Sequence, residues 1–409
     1  IKNGPNANRP HFRLLADDSL VVEWGTGPVK TFPAGIPAAD QARLRAAYTA
    51  QIRDVLIPAN KRVRDFLANE YLPAARDTVG LSGMPGGAAL YDYLIESNTT
   101  LPLKAEDVHQ LGLREVARIT AEMEAQKAKA GFTGSLADFF TFLRTDKKFQ
   151  PASATQLREG YEAIGRRIAA RIPEQFSLVP KTPLEIRPVP AYKEKTDAGG
   201  SYQGGTPDGS RPGVFYYNTY DLPSRYLWTM ETLYLHEAVP GHNTQGDIQV
   251  RQQGGPKFRS VTGYVAFGEG WGLYAEAVCK EMGAYPDIAA DFMRLDAELF
   301  RAARLVVDTG IHAMGWTEDE AVTYMNTTGR QPIERSRSEV RRYITLPGQA
   351  TGYKIGMLKI MELRKRAEEK LGAKFDVKGF HDLLIASGSQ PLSILERRVD
   401  EWIDARATS

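Results

Sequence analysis

Apolar residues recur at intervals of three and four along most of the chain, a rhythm that predicts helices. Between residues 37 and 76 the positions Leu44, Ala47, Tyr48, Ile52, Val55 and Leu56 keep it, which predicts two long antiparallel helices. A short helix over 86–100 ends in polar residues, and a capped start between Thr100 and Asp107 opens a long helix through Lys127. Further helices are predicted over 135–145, 153–171, 286–314, 317–326, 333–343, 353–371, 377–387 and 391–405. A period of two appears around 19–24, within the stretch 11–32, and predicts a strand or small hairpin there. Residues 184–189 and 214–217 read as strands. The fold class is therefore mainly α with a small β-sheet. An N-terminal region over 1–78 holds the strand or hairpin and the long helices, and a helical region over 79–409 carries the candidate chemistry.

Composition narrows the function. The 52 basic and 50 acidic residues nearly cancel, to a formal charge of +2, and are interspersed, so no basic run can track a phosphate backbone and nucleic acid is not expected as a partner. No span of about eighteen apolar residues occurs, so no transmembrane helix is expected. The single cysteine, Cys279, cannot form an internal disulfide; a catalytic thiol there would need a base. No GxSxG elbow supports a serine hydrolase. The chain starts at Ile1 rather than methionine and shows no signal-like segment, which predicts that an N-terminal portion has been removed.

The candidate chemistry lies in ETLYLHEAVPGHNTQ, residues 231–245, where two of the chain's six histidines flank a glutamate. Zinc takes imidazole nitrogens and a carboxylate, and a free carboxylate beside the first histidine can take a proton from the metal's water. Yet residues at i and i+6 of an unbroken helix are rotated by about 240° net, so His236 and His242 would diverge. Pro240 clashes with the carbonyl of His236, and Gly241 accepts almost any backbone angle, so the break can swing His242 back. The competing reading is that Pro240 and Gly241 only end a helix that His242 caps. The third ligand is expected from VTGYVAFGEGWGLYAEAVCKEM: Glu269, whose neighbours Gly268, Gly270 and Gly272 let another helix approach closely, with Glu276 as fallback or as the acceptor that orients an imidazole. GEGWG follows no strand, so it is not read as a phosphate loop.

Three strings, HEAVPGHNTQ, GEGWGLYAE and LPGQATGYKIG (346–356), resemble the signature blocks of the bacterial family known as domain of unknown function 885. Its members are regarded as zinc metallopeptidases and resemble the glutamate zincins, which include mostly helical carboxypeptidases and oligopeptidases. The resemblance runs from about Gly80 to the C-terminus. It implies a zincin-like helical body with Zn2+ held by His236, His242 and Glu269, and with Glu237 as general base. Relatives in that family are usually longer at the N-terminus and often carry export signals, which implies a periplasmic or secreted protein, with a cytoplasmic one as the alternative.

The third block supplies further candidates. Tyr353 follows two glycines and is placed to stabilise an oxyanion, Gln349 to hold a substrate backbone, and Arg341 or Arg342 to clamp a peptide's C-terminal carboxylate. In zincin-like proteins an edge strand beside the metal helix adds the substrate as one more strand; by that analogy the strand 214–217, with Tyr216, binds the peptide main chain. The glycine-rich stretch before it, 199–213, reads as a surface loop or a lid. His312 is a further candidate donor to the transition state, whereas His11, His109 and His381 have no partner nearby in sequence. Two function classes result: a zinc-dependent hydrolase of peptide bonds, of dipeptidase or carboxypeptidase type, or a non-catalytic peptide-binding protein on the same scaffold. Oligomeric state leaves no trace in the sequence.

Overall fold

The computed structural model describes residues 18–191, 193–195, 197–251, 257–260 and 262–408. The chain divides into two compact units, Ile1–Thr78 and Val79–Ser409. His11 lies outside the described residues.

The first unit corrects two expectations. Residues 19–24 form no strand or hairpin but belong to a helix, α1 (Asp18–Gly25). In so short a run the apolar residues satisfy both periods, and packing decides: buried Val21 points inward, and a side chain at Gly25 would come within 2.7 Å of Ile52 Cδ1. The expected pair of antiparallel helices is one continuous run, α2 (Ala38–Gln51) passing through a π-turn at Ile52–Leu56 into α3 (Ile57–Phe66) and a second π-turn at Leu67–Tyr71. Pro58 should stop an α-helix by losing a backbone donor and crowding the carbonyl four residues earlier. The wide turn before it, in which Ile57 N–H bonds Ile52 O, absorbs that defect.

The second unit is built of helices α4 (Gly87–Thr99), α5 (Ala105–Lys129), α6 (Leu136–Thr145), α7 (Ala154–Ala169) and the single turn α8 (Ile172–Gln175), then three strands, then nine further helices among the described residues. Strands β1 (Leu184–Pro188), β2 (Gly200–Gln203) and β3 (Gly213–Tyr217) form one sheet in the order β1-β3-β2. β3 is central, parallel to β1 and antiparallel to β2, with Phe215 opposite both Ile186 and Tyr202. Phe215 is fully buried and meets Tyr161 of α7 edge-on at 4.9 Å.

After the sheet come α9 (Met230–Glu237), α10 (His242–Val250), α11 (Val265–Val278), α12 (Ile288–Ala313), α13 (Glu318–Thr327), α14 (Ile333–Thr345), α15 (Gly352–Leu371), α16 (Val377–Ala386) and α17 (Leu392–Ala407). The 26-residue α12 is the axis of the unit, buried along most of its length. Its apolar stripe packs with Val116, Ile119 and Met123 of α5 and with the phenylalanines of α6. A second core gathers Trp271 and Tyr274 of α11, Tyr234 and Leu235 of α9, the sheet, and α15 to α17. One ion cluster ties three helices together: the fully buried Lys354 of α15 bonds Glu298 of α12 at 2.6 Å and Glu115 of α5 at 3.0 Å. Such a group survives burial because its charge is paired.

Candidate metal centre

The helix α9 stops at Glu237. Ala238 leaves helical geometry at φ −101°, ψ −113°, Gly241 follows at φ −71°, ψ −133°, and α10 begins at His242. The Val239–Pro240 peptide is cis. Gly241 turns so tightly that a Cβ there would sit 1.9 Å from the carbonyl oxygen of His236, a place no side chain can occupy. Trp271 of α11 pins the turn by donating its indole N–H to Pro240 O at 2.9 Å. The break brings the imidazoles of His236 and His242 together with ring centres 4.7 Å apart and planes at 86°. Of the two sequence readings, chain reversal rather than simple capping is what the backbone adopts.

α11 delivers Glu269 to the same place. Its Oε2 lies 3.3 Å from His236 Nε2 and 3.4 Å from His242 Nε2, and one donor atom from each of the three residues falls within 4.8 Å of the others. Ligands about 2.0–2.1 Å from a tetrahedral zinc stand about 3.3–3.4 Å from each other, so both measured separations fit a cation between them. Two of the three glycines around Glu269 act as expected, whereas Gly268 has no neighbour nearer than Gln245 Oε1 at 3.8 Å. At Gly272 a Cβ would stand 2.6 Å from His236 Cε1, and at Gly270 2.5 Å from the Gly356 backbone of α15, so these positions let α11 lie against the imidazole on one side and a helix on the other.

Glu276 is an orienting acceptor and not a ligand in this arrangement. It meets His236 Nδ1 at 2.7 Å, both side chains being buried, and Arg301 of α12 holds the same carboxylate at 3.3 Å. That bond puts the proton on Nδ1 and presents Nε2 to Glu269 and His242. Burial alone would lower the His236 pKa, but its bonds to Glu269 and Glu276 outweigh burial and raise it to about 9. Burial would raise Glu269, yet the two imidazoles hold it well below the ordinary carboxylate value. The pocket is thus arranged to bind positive charge, which a proton or a metal cation can supply. Glu237 is half-buried at the end of α9, and its carboxylate makes no hydrogen bond or ion pair with any described residue.

The other predicted residues are distributed more widely. Tyr353, on the first turn of α15, lies with its ring 4.5 Å from the guanidinium carbon of Arg304. Gln349 accepts from Arg342 at 2.9 Å, so these two stand together. Arg341 is instead tied to Glu318 of α13 at 2.7 Å. Tyr216 cannot lend its main chain to a peptide: β3 is the middle strand, and Tyr216 is paired with Arg187 on one side and Ser201 on the other. The missed strand is β2, inside the glycine-rich stretch expected to be loop or lid. It is an outer strand, and a Cβ at its Gly200 would stand 2.9 Å from Leu233 Cδ2 of α9.

His312 is not a donor at the centre either. It is fully buried, accepts from Leu81 N–H through Nδ1 at 3.3 Å and donates to Tyr343 O at 3.1 Å through Nε2. His109 bonds Thr309 at 2.8 Å, and His381 sits between Gln175 O and the Tyr274 hydroxyl, with burial pushing its pKa down to about 4. Cys279 is fully buried, and burial drives its thiol well above its usual pKa, so it is no nucleophile.

The model of a family described as "Bacterial protein of unknown function (DUF885)" matches residues 10–399. The chain belongs to that family. No curated protein matches this DUF885 chain. A crystal structure of a "putative lipoprotein" from Colwellia psychrerythraea is similar to it, with 33% identity over 95% of this chain and a TM-score of 0.88. The chain spans 66% of the length of that protein. A "putative lipoprotein of unknown function" from Shewanella oneidensis, 22% identical over 96% of this chain and 71% of its own, shares the fold with a TM-score of 0.67. Sequence reasoning missed Arg301 and Arg304 of this DUF885 member. The signal was present in LFRAARLVV, where two arginines one turn apart interrupt an otherwise apolar stretch of nine residues.

Proposed function

We propose that this protein is a zinc-dependent peptidase, with His236, His242 and Glu269 as metal ligands and Glu237 as general base. One observation carries the reading: two imidazoles and a carboxylate from three different helices converge at ligand spacing, next to an unengaged carboxylate on the turn that supplies the first imidazole. Bound zinc would supply Lewis acidity, polarising the scissile carbonyl and making a water acidic enough to attack it. The protein's own residues do the rest. Glu237 takes the proton from the attacking water and returns it to the leaving amine. Glu276, steadied by Arg301, keeps the His236 tautomer that points Nε2 at the metal. The outer strand β2, seated on α9, offers main-chain groups to an extended peptide, a mode of binding that asks little of the substrate's side chains. The similarity to proteins described as lipoproteins supports a periplasmic or secreted location.

Purified protein reloaded after chelation should hold one zinc per chain and cleave peptides only when loaded. A chain that takes up no zinc, or a loaded chain that leaves a mixed peptide library intact while still binding its members, would replace the peptidase with a peptide-binding protein. Within the proposal, Glu276→Ala should weaken zinc binding by about 10–100-fold, read by competition with a chromophoric chelator, because His236 loses the acceptor that fixes its ring. Unchanged zinc affinity would show that Glu276 has only a packing role.

A further inference from the structure

A cluster of arginines lies beside the candidate metal centre, and its hydrogen bonding is incomplete. Arg301 and Arg304 project from adjacent turns of α12, and Arg335 and Arg342 come from α14. The guanidinium carbons of Arg304, Arg335 and Arg301 stand 4.3, 4.6 and 5.8 Å from the centre of the Phe300 ring, and Arg304 also lies against Tyr353. The carboxylates facing these four cations are Glu276, Glu339, Asp296 and Asp308. Glu276 already serves His236. A single oxygen of Glu339 accepts from Arg304 at 3.2 Å, from Arg342 at 2.9 Å and from the Tyr343 hydroxyl at 2.8 Å. Nη1 of Arg304, a residue only 6% exposed, and Nε of Arg301 are buried without a hydrogen-bond partner, as are Oδ1 of Asp296 and Oδ2 of Asp308. Buried donors without acceptors are rare in folded proteins, and guanidinium is the group best matched to carboxylate oxygens.

The cluster is graded from rim to floor, with Arg335 exposed, Arg342 and Tyr353 half-buried, and Arg304 buried. It also shares a wall with the metal centre, because Arg301 bonds the carboxylate that holds His236. Tyr353 falls between Gly352 and Gly356 of α15. These abut Ala266 and Gly270 of α11, the helix that carries Glu269. We propose that Arg304 and Arg342, with Gln349 and Arg301 beside them, form an anion subsite that receives the C-terminal carboxylate of a peptide. The identity of the substrate rests on the peptidase reading above; the anion subsite itself does not.

The two can be separated by measuring equilibrium binding of N-acetyl-phenylalanine and of its amide to the full chain by calorimetry, with and without zinc. The free acid should bind about tenfold or more tightly than the amide even without zinc, since a charge-assisted bidentate contact is lost in the amide. Arg304→Gln and Arg342→Gln should each erase that preference, and Arg342, half-buried at the rim, is the position where the fold survives the change. Equal binding of acid and amide overturns the subsite even if zinc-dependent cleavage is vigorous. Inorganic phosphate binding more tightly than the acid overturns the carboxylate assignment. A preference for the acid that depends on Arg342, in a chain that cleaves nothing, upholds the subsite and removes the peptidase.

Discussion

Glu237→Gln is expected to lower kcat for peptide hydrolysis by about 10²–10⁴-fold while the zinc content stays at that of the unaltered protein. The replacement keeps the volume and removes only the proton-accepting charge. Glu237 ends α9 immediately after His236, is half-buried, and makes no hydrogen bond or ion pair with any described residue, so the change removes its charge beside His236 without breaking a hydrogen bond. The three proposed ligand side chains are held by other contacts: His236 by Glu276, Glu269 by the packing of α11 on α15, and His242 by the turn that Trp271 pins. Steady-state kinetics together with metal analysis of the same sample gives the answer. Full activity in the variant would move the base elsewhere, and loss of zinc along with activity would make Glu237 part of the metal's support.

The second large effect is on stability. At Gly356 a Cβ would lie 1.9 Å from the Ala266 carbonyl oxygen and 2.8 Å from Gly270 Cα. These are backbone atoms of a neighbouring helix, so no rotamer change relieves the clash and α15 must move off α11. Gly356→Ala should therefore cost about 2–4 kcal/mol by denaturant unfolding, in the range of severe overpacking and strain. Because α11 carries Glu269, zinc affinity should fall with it. Gly268→Ala is the control on the same helix. Its nearest neighbour is Gln245 Oε1 at 3.8 Å, so the added methyl has room and should stabilise the protein by about 0.5–1 kcal/mol through helix propensity alone. Equal effects at the two positions would show that the glycines of α11 and α15 are not there for close approach.

The places where sequence reasoning and structure part have physical causes. The run 19–24 was ambiguous because a few apolar residues fit either period, and burial of Val21 in the first unit selected the helix. The reversal expected within 37–76 did not occur because a π-turn lets the helical run pass through Pro58. β2 went unseen because Gly-Ser-Tyr-Gln carries none of the alternation that marks a strand; it forms because β3 offers a free edge. Tyr216 was misplaced for the same reason, since strand order is set by which chains pair and leaves no local mark.

From the sequence alone came the helical class, through the periodic burial of apolar residues, and the residues of the candidate centre, through the scarcity of histidine and the proline–glycine break between His236 and His242. Local composition suffices for these because they depend on neighbours within a turn or two. Only the tertiary structure decided that Glu276 meets Nδ1 of His236 while Glu269 meets Nε2 of both His236 and His242, and that both ring nitrogens of buried His312 are engaged by backbone groups. It alone gathered arginines of α12 and α14 against Tyr353. Those assignments depend on how helices far apart in sequence cross, and crossing is fixed by the packing of whole faces, such as Gly270 on Gly356, rather than by any short string of residues.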